Sequence, residues 1–425
     1  MALFSSAPGR LQSLARAALA VAAGSALAAG PGAAQTTSSA LRLSDVIRGA
    51  AERRPELEAA RARVRASEQR PAIVSALEDP MIAGSIDHKP FGMSGMDYSV
   101  TLEQRFPLAP VRRHRRESAI AEISRLRAEV EDKALGVRLE AATAFLMLQQ
   151  RRRMADLLRE RLAFARDIVA AANARYAGGA GLQSDVLRAE LEVGRLAAQL
   201  RYSEAEVRAG EAMLNAAMGE EVDKPVPPLR TMVVDHPLPS WPAVQLMLPA
   251  LPKLQAGRAE IARAEAEVRV MRDMYRPMAT VRAGPAYTMG EGRGVMAMVG
   301  VSIPIWRSKL QAGVQEARAM RQMSEAELRA MTRMAESEAA QALYELEAAG
   351  AQQTALRDEI LPRARFMIEP TLAGYAAGRL PLTSVIETVQ ALWTVQSELI
   401  EADMRVGLAW TRLGSAIGSY DMIKL

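Results

Sequence analysis

Methionine is the unusual residue of this sequence, at 23 thioethers against three histidines and no cysteine. Soft thioethers suit monovalent copper or silver rather than calcium or magnesium. Eight of them lie in or just before two glycine-punctuated stretches: Met93 and Met96 in the first, and Met289, Met296 and Met298 in the second, which Met271, Met274 and Met278 precede. Methionine is also an adaptable core filler and a good helix former, and most of the 23 are expected to serve that way. Met296 and Met298 stand apart because strand alternation puts both on a polar face. His88, His114 and His236 lack a Cys or Ser partner in a recognisable motif, and the glycine-rich loops do not fit a phosphate cradle between strand and helix. The sequence therefore predicts no catalytic set, no cofactor and no zinc site within one chain.

Two hairpins carry Met93, Met96, Met289, Met296 and Met298. Between Pro80 and Phe106 the hydrophobic period is two, with Tyr98, Val100 and Leu102 on one face and Asp97, Ser99, Thr101 and Glu103 on the other. Lys89 to Gly95 reads as the turn between its strands. Over 278–305 the pattern returns: Val295, Ala297, Val299, Val301 and Ile303 alternate with Met296, Met298, Gly300 and Ser302. Its tip is Gly290 to Gly294.

Long helices surround the hairpins. Leu41 to Ala76 is helical in character, capped by Ser44 and interrupted at Pro55. From Pro110 to about Arg175, Ile120, Ile123, Leu126, Val130, Ala134, Val137, Ala141, Ala144 and Leu148 step by three or four residues, the heptad seam of a coiled coil. Gly178 to Gly181 turns the chain back, and Ser184 or Asp185 is placed to cap a helix that runs to Met218. Later, Ser308 to about Ala373 forms another long helix, with Pro362 and Pro370 expected to bend its far end.

The two reversals are copies of one another. Tyr375 follows Tyr176, Gly378 follows Gly179, and Gly418 follows Gly219, each by 199 residues. Upstream, Pro252 follows Pro55 and Pro304 follows Pro107 by 197 residues, so two residues entered in between. A repeat this long is a whole module rather than a solenoid unit of roughly 20–50 residues. The chain divides into a leader (1–34), a first repeat (35–219, hairpin 80–106, tip turn 176–183), a proline-rich linker (220–252), a second repeat (253–418, hairpin 278–305, tip turn 375–382) and a tail (419–425).

The leader reads as an export signal: Arg10 and Arg16, the apolar run Ala17 to Ala29, then small residues before Gln35. Removing it lowers the formal charge from +5 to +3, and acidic and basic residues interleave along the helices, which argues against nucleic acid as a partner. With no cysteine there is no disulfide and no lipid anchor on cysteine. No stretch after the leader is long and apolar enough to span a bilayer as a helix, whereas strands of ~10 alternating residues are compatible with a barrel.

Four strands cannot close into a barrel, and thin apolar helix stripes bury poorly alone. Both need company. The exported start, the duplicated plan, the tip from Arg175 to Leu187, the run Asp185-Val186-Leu187-Arg188-Ala189-Glu190 and the closing Leu214-Asn215-Ala216 resemble the TolC-type outer-membrane efflux factors, particularly their heavy-metal branch. The resemblance implies a mainly α fold with a membrane β-barrel portion. Three copies would form a 12-stranded barrel continued by a long α-helical coiled-coil tunnel. It implies a homotrimer in outer-membrane lipid, working with a periplasmic adaptor and an inner-membrane pump, and no enzymatic activity. It further implies adaptor contact at the tips, through Gly178, Gly179, Gly181, Leu182, Gly378, Arg379, Leu380 and Pro381. A pore constriction would fall at Thr383 and Glu387, with Met296 and Met298 facing the lumen. Glutamate at 387 and the following Thr388-Val389-Gln390 depart from the family's usual aspartate step. The alternatives are a periplasmic coiled-coil adaptor or scaffold without a channel, and the same duct serving a type I protein secretion system.

Overall fold

The structure is a computed structural model that describes residues 40–88, 96–231, 237–288 and 290–420. The leader, the first hairpin's turn with Met93, and His236, Met289 and residues 421–425 lie outside the described residues. Three helices open the chain: α1 (Leu43–Arg53), α2 (Pro55–Ser67) and α3 (Arg70–Ser75). Pro55 is the first residue of α2, where its missing N–H costs nothing. The hairpin β1 (Met81–His88) and β2 (Met96–Pro107) follows, and then the 67-residue α4 (Val111–Ala177). At ~1.5 Å per residue α4 is about 100 Å long. A reversal leads into α5 (Gln183–Met218).

The same order of elements then recurs. A short helix, α6 (Trp241–Met247), is followed by α7 (Pro252–Asp273), the hairpin β3 (Met278–Thr288) and β4 (Gly292–Ser302), and α8 (Arg307–Thr354). Two short helices, α9 (Leu361–Phe366) and α10 (Ile368–Ala376), reach the second reversal, and α11 (Leu382–Ile417) returns. The expected bend has a specific form. A π-helical turn at Ala355–Ile360 precedes Pro362, and the helix breaks again at Met367, ahead of Pro370. Proline has no N–H for the ladder and its ring crowds the carbonyl four residues back, so the ladder widens there.

Two capping expectations are corrected. Arg42 rather than Ser44 precedes α1, and Leu182 rather than Ser184 or Asp185 precedes α5, neither start having a side-chain cap bond. Asp185 instead lies within the first turn of α5, where its charge complements the helix dipole.

The core is strung along a rod rather than gathered in a ball. One cluster packs Leu43, Val46 and Leu57 against Phe145 and Leu148 of α4 and Leu214 of α5. A second packs Val244, Leu248 and Leu254 against Leu343 and Leu346 of α8 and Trp410 and Leu413 of α11. Smaller clusters lie nearer the reversals, around Leu158, Leu162 and Leu196 and around Tyr375, Leu382 and Val385. Along the α4 seam Ile123, Leu126, Ala134, Val137, Ala141, Ala144 and Leu148 are buried, Val130 is half-buried and Ile120 is exposed.

Charge fastens α4 to α7. Arg125 donates to Glu122 at 2.7 and 2.9 Å and lies 3.6 Å from Glu260, while Arg269 reaches Glu117 at 3.1 Å. The Arg125 guanidinium holds the Glu122 carboxyl below its ordinary value of 4.5. A carboxyl with a depressed folded-state pKa stabilises the fold above the unfolded value and loses that contribution as pH falls through the folded one. Glu122→Gln is accordingly expected to cost about 1 kcal/mol at pH 7. It should also flatten the loss of stability below about pH 4.5, read as thermal midpoint against pH in detergent. An unchanged acid limb would remove this assignment.

Candidate functional site

Two places in the fold combine exposure with specific geometry: the helical reversals at one end of the rod and the sheet at the other.

At the first reversal Gly179 has φ +71°, its N–H donates to the Tyr176 carbonyl (3.0 Å), and Ala180 N–H donates to the Arg175 carbonyl (2.9 Å). Gly378 repeats this at φ +74°, with Gly378 N–H on Tyr375 O (3.0 Å) and Arg379 N–H on Gly374 O (2.9 Å). Only glycine takes this left-handed position cheaply, and the bonds satisfy the carbonyls left open at the helix end. Gly181 is required for a different reason, since a Cβ there would stand 3.0 Å from the Tyr176 nitrogen. Gly178 has φ −78° and neither constraint. Leu182, Arg379, Leu380 and Pro381 are exposed on the outer surface of the tips.

Arg175 ties the two reversals together, a role the sequence reading missed. Its guanidinium donates to the carbonyls of Tyr375 and Ala180 (the latter at 3.1 Å) and lies 4.6 Å from the centre of the Tyr375 ring. Further along α4 from the reversal, Arg161 donates to the Trp393 carbonyl and to Ser397 Oγ (2.7 Å) of α11. Burial lowers the Arg161 pKa to about 10. Asp403 of α11 accepts from Arg153 (2.8 Å), Gln353 (2.7 Å) and Arg357 (3.0 Å), joining α4 to the π-helical turn. Nothing in the local spacing of these arginines sets them apart from the solvated ones on the same helices.

Thr383 and Glu387 lie one turn apart on α11, away from the face that buries Leu382, Val385 and Val389. Glu387 is exposed and makes no hydrogen bond or ion pair among the described residues.

The four strands form one antiparallel sheet in the order β1-β2-β3-β4, so β1 and β4 are open edges. Its two faces differ as the alternation predicts. Tyr98, Val100 and Leu102 are each 52% exposed, whereas Ser99, Thr101 and Glu103 are 7%, 3% and 6% exposed. The polar face is held by cross-strand bonds: Ser85 to Ser99 (2.7 Å), Thr101 to the Ala83 carbonyl (3.3 Å), and Arg282 Nε to Glu103 (3.0 Å). Met296 and Met298 are opposite Gly284 and Arg282 in the register. Met298 is exposed and Met296 half-buried. A guanidinium beside Met298 works against a resident cation, and no cluster of three or more His, Asp or Glu groups fit for a metal occurs among the described residues. No described helix is long and apolar enough to cross a membrane.

The fold recurs in known proteins. The outer membrane efflux protein from Brucella suis biovar 1 (strain 1330), BepC, is 24% identical over 382 residues, covering 85% of this chain and 82% of its own. The solved structure of CusC superposes with a TM-score of 0.78 at 15% identity, over 89% of this chain and 92% of that one. The outer membrane protein VceC of Vibrio cholerae gives 0.75 at 16% identity, over 89% and 96%. The family model described as outer membrane efflux protein matches residues 46–220 and 243–419, one segment in each half. By that match across most of its length, the chain belongs to the outer membrane efflux protein family, whose members are transport ducts rather than enzymes.

Proposed function

We propose that three copies of this chain assemble into one duct, each giving four strands to a 12-stranded barrel and four long helical spans to a tunnel below it. The observation that carries this reading is the open sheet. It has an apolar face, a polar face and two unpaired edges, which is costly in water and in lipid alike unless a neighbour completes it. The duplicated order of elements supports the same count, since each half supplies one hairpin and one pair of long helices.

In this reading the reversals are the periplasmic tips. The exposed Leu182, Arg379, Leu380 and Pro381, on turns shaped by Gly178, Gly179, Gly181 and Gly378, meet a periplasmic adaptor, and an inner-membrane pump supplies the energy. Thr383 and Glu387 from three chains narrow the pore. Three carboxylates there concentrate cations. The resemblance to the heavy-metal branch and the Met296 and Met298 thioethers support copper or silver ions as cargo, bound in passing rather than held.

Planar lipid bilayers test the duct. Detergent-purified protein should add discrete, stable conductance steps that favour cations, and Glu387→Gln should reduce that selectivity. A water-soluble, electrically silent protein would instead support the scaffold alternative.

A further inference from the structure

We propose that the helix-side rim of the sheet is a binding belt for anionic phospholipid headgroups. This rests on the membrane-barrel reading above and goes beyond it by naming the lipid.

The antiparallel register brings all four strand–helix junctions to one end of the sheet, because Met81 pairs with Glu103, Pro107 with Met278, and Met278 with Ser302. The junction segments 70–80, 107–116, 272–277 and 303–309 hold nine Arg or Lys residues against three acidic ones, Glu78, Asp79 and Asp273. At the opposite end, the described positions 97, 288 and 290–293 hold one basic residue, Arg293, against two acidic ones, Asp97 and Glu291. Among the described residues of the two ends, the positive excess therefore lies on this rim.

The charge is also uncompensated there. Asp273 is engaged by His114 at 2.7 Å, and Glu117, the next carboxylate down α4, is shared between Arg113 and Arg269. Arg115, Arg116, Arg276 and Lys309 are exposed and make no ion pair among the described residues. Directly on the sheet side of this charge stand exposed apolar groups: Leu108 at the end of β2, and Ile303, Ile305 and Trp306 after β4. An apolar band topped by an aromatic and then by free guanidinium and ammonium groups matches the acyl, interfacial and headgroup layers of a phospholipid leaflet in that order. A soluble polyanion would match the charge but leave the adjoining apolar band unexplained.

The full chain, reconstituted in phosphatidylcholine vesicles with a minority of phosphatidylglycerol, can be probed with trace spin-labelled lipid of each kind. At low salt the motionally restricted fraction should favour phosphatidylglycerol by about fivefold. The preference should fall towards unity in about 1 M salt, where charges are screened within a few ångströms. The triple variant Arg115→Gln, Arg116→Gln, Lys309→Gln should lose it. The same three substitutions at Arg188, Arg195 and Arg208, exposed on α5 far from the sheet, should keep it. Insertion without headgroup preference overturns this inference alone, and so does a preference the triple variant retains. Capture on insoluble peptidoglycan that the triple variant abolishes, with no lipid preference, assigns the rim to that polymer and overturns the lipid reading. Failure to enter the bilayer removes the membrane reading with it.

Discussion

Gly284→Val is expected to abolish the assembled channel, whereas Gly300→Val, in the neighbouring strand of the same sheet, should be tolerated. A Cβ on Gly284 would run into the carbonyl oxygen of Val100 and come within 2.8 Å of the Thr101 Cα, so backbone rather than a movable side chain blocks it. At Gly300 the nearest atom is the Thr280 Cβ at 3.9 Å, an ordinary contact. The difference comes from the ladder. Pairing of β2 with β3 lapses between Ser99–Ala286 and Leu102–Ala283, where Pro285 has no N–H to give, and the strands close in on the gap beside Gly284. Forcing a branched side chain against backbone costs about 3 kcal/mol or more, a large share of what holds a sheet together. The readout is the amount of detergent-resistant oligomer in the outer-membrane fraction. Equal amounts for the two variants would contradict the account of this strand pair.

The second large effect is expected at Arg175. Among the described residues, every side-chain hydrogen bond between the two reversals comes from this guanidinium, which also packs on the Tyr375 ring. Charge-assisted bonds of this kind are worth about 2 kcal/mol each, so Arg175→Ala should shift the balance between joined and separated tips by more than tenfold. In planar bilayers the variant should open to larger conductance levels, or occupy them far more often, while assembling normally. Arg175→Lys should fall between, because an ammonium lacks the planar fork that reaches two carbonyls at once. Wild-type conductance in the alanine variant would mean that the apolar contacts around Tyr375, Leu382 and Val385 hold the tips without help.

What could be read in advance was periodic. The long seam of α4, the alternation of β2 and β4, and the glycines at 179 and 378 declare themselves because each reflects a backbone geometry repeated every 3.5 or two residues, or a φ that only glycine takes freely. Helix starts were less legible. Ser44 and Ser184 have the right chemistry for caps, yet each lies one residue inside its helix, and the N–H groups at those starts receive no side-chain cap. The short α6 was hidden in a stretch that its prolines mark as a connection. Trp241, Val244 and Met247 form it because their apolar side pairs with α8 and α11, a partner more than 80 residues away. Arg153, Arg161 and Arg175 became visible only in three dimensions, since each finds its acceptor some 200 residues or more along the chain.

The mass of the full-length protein in mild detergent tests the central claim most directly. With β1 and β4 both unpaired in a single chain, the account predicts a stable species of three copies and no significant population of folded single subunits. A monodisperse single subunit that keeps its strands and conducts, or that stays folded with the sheet open, would contradict it.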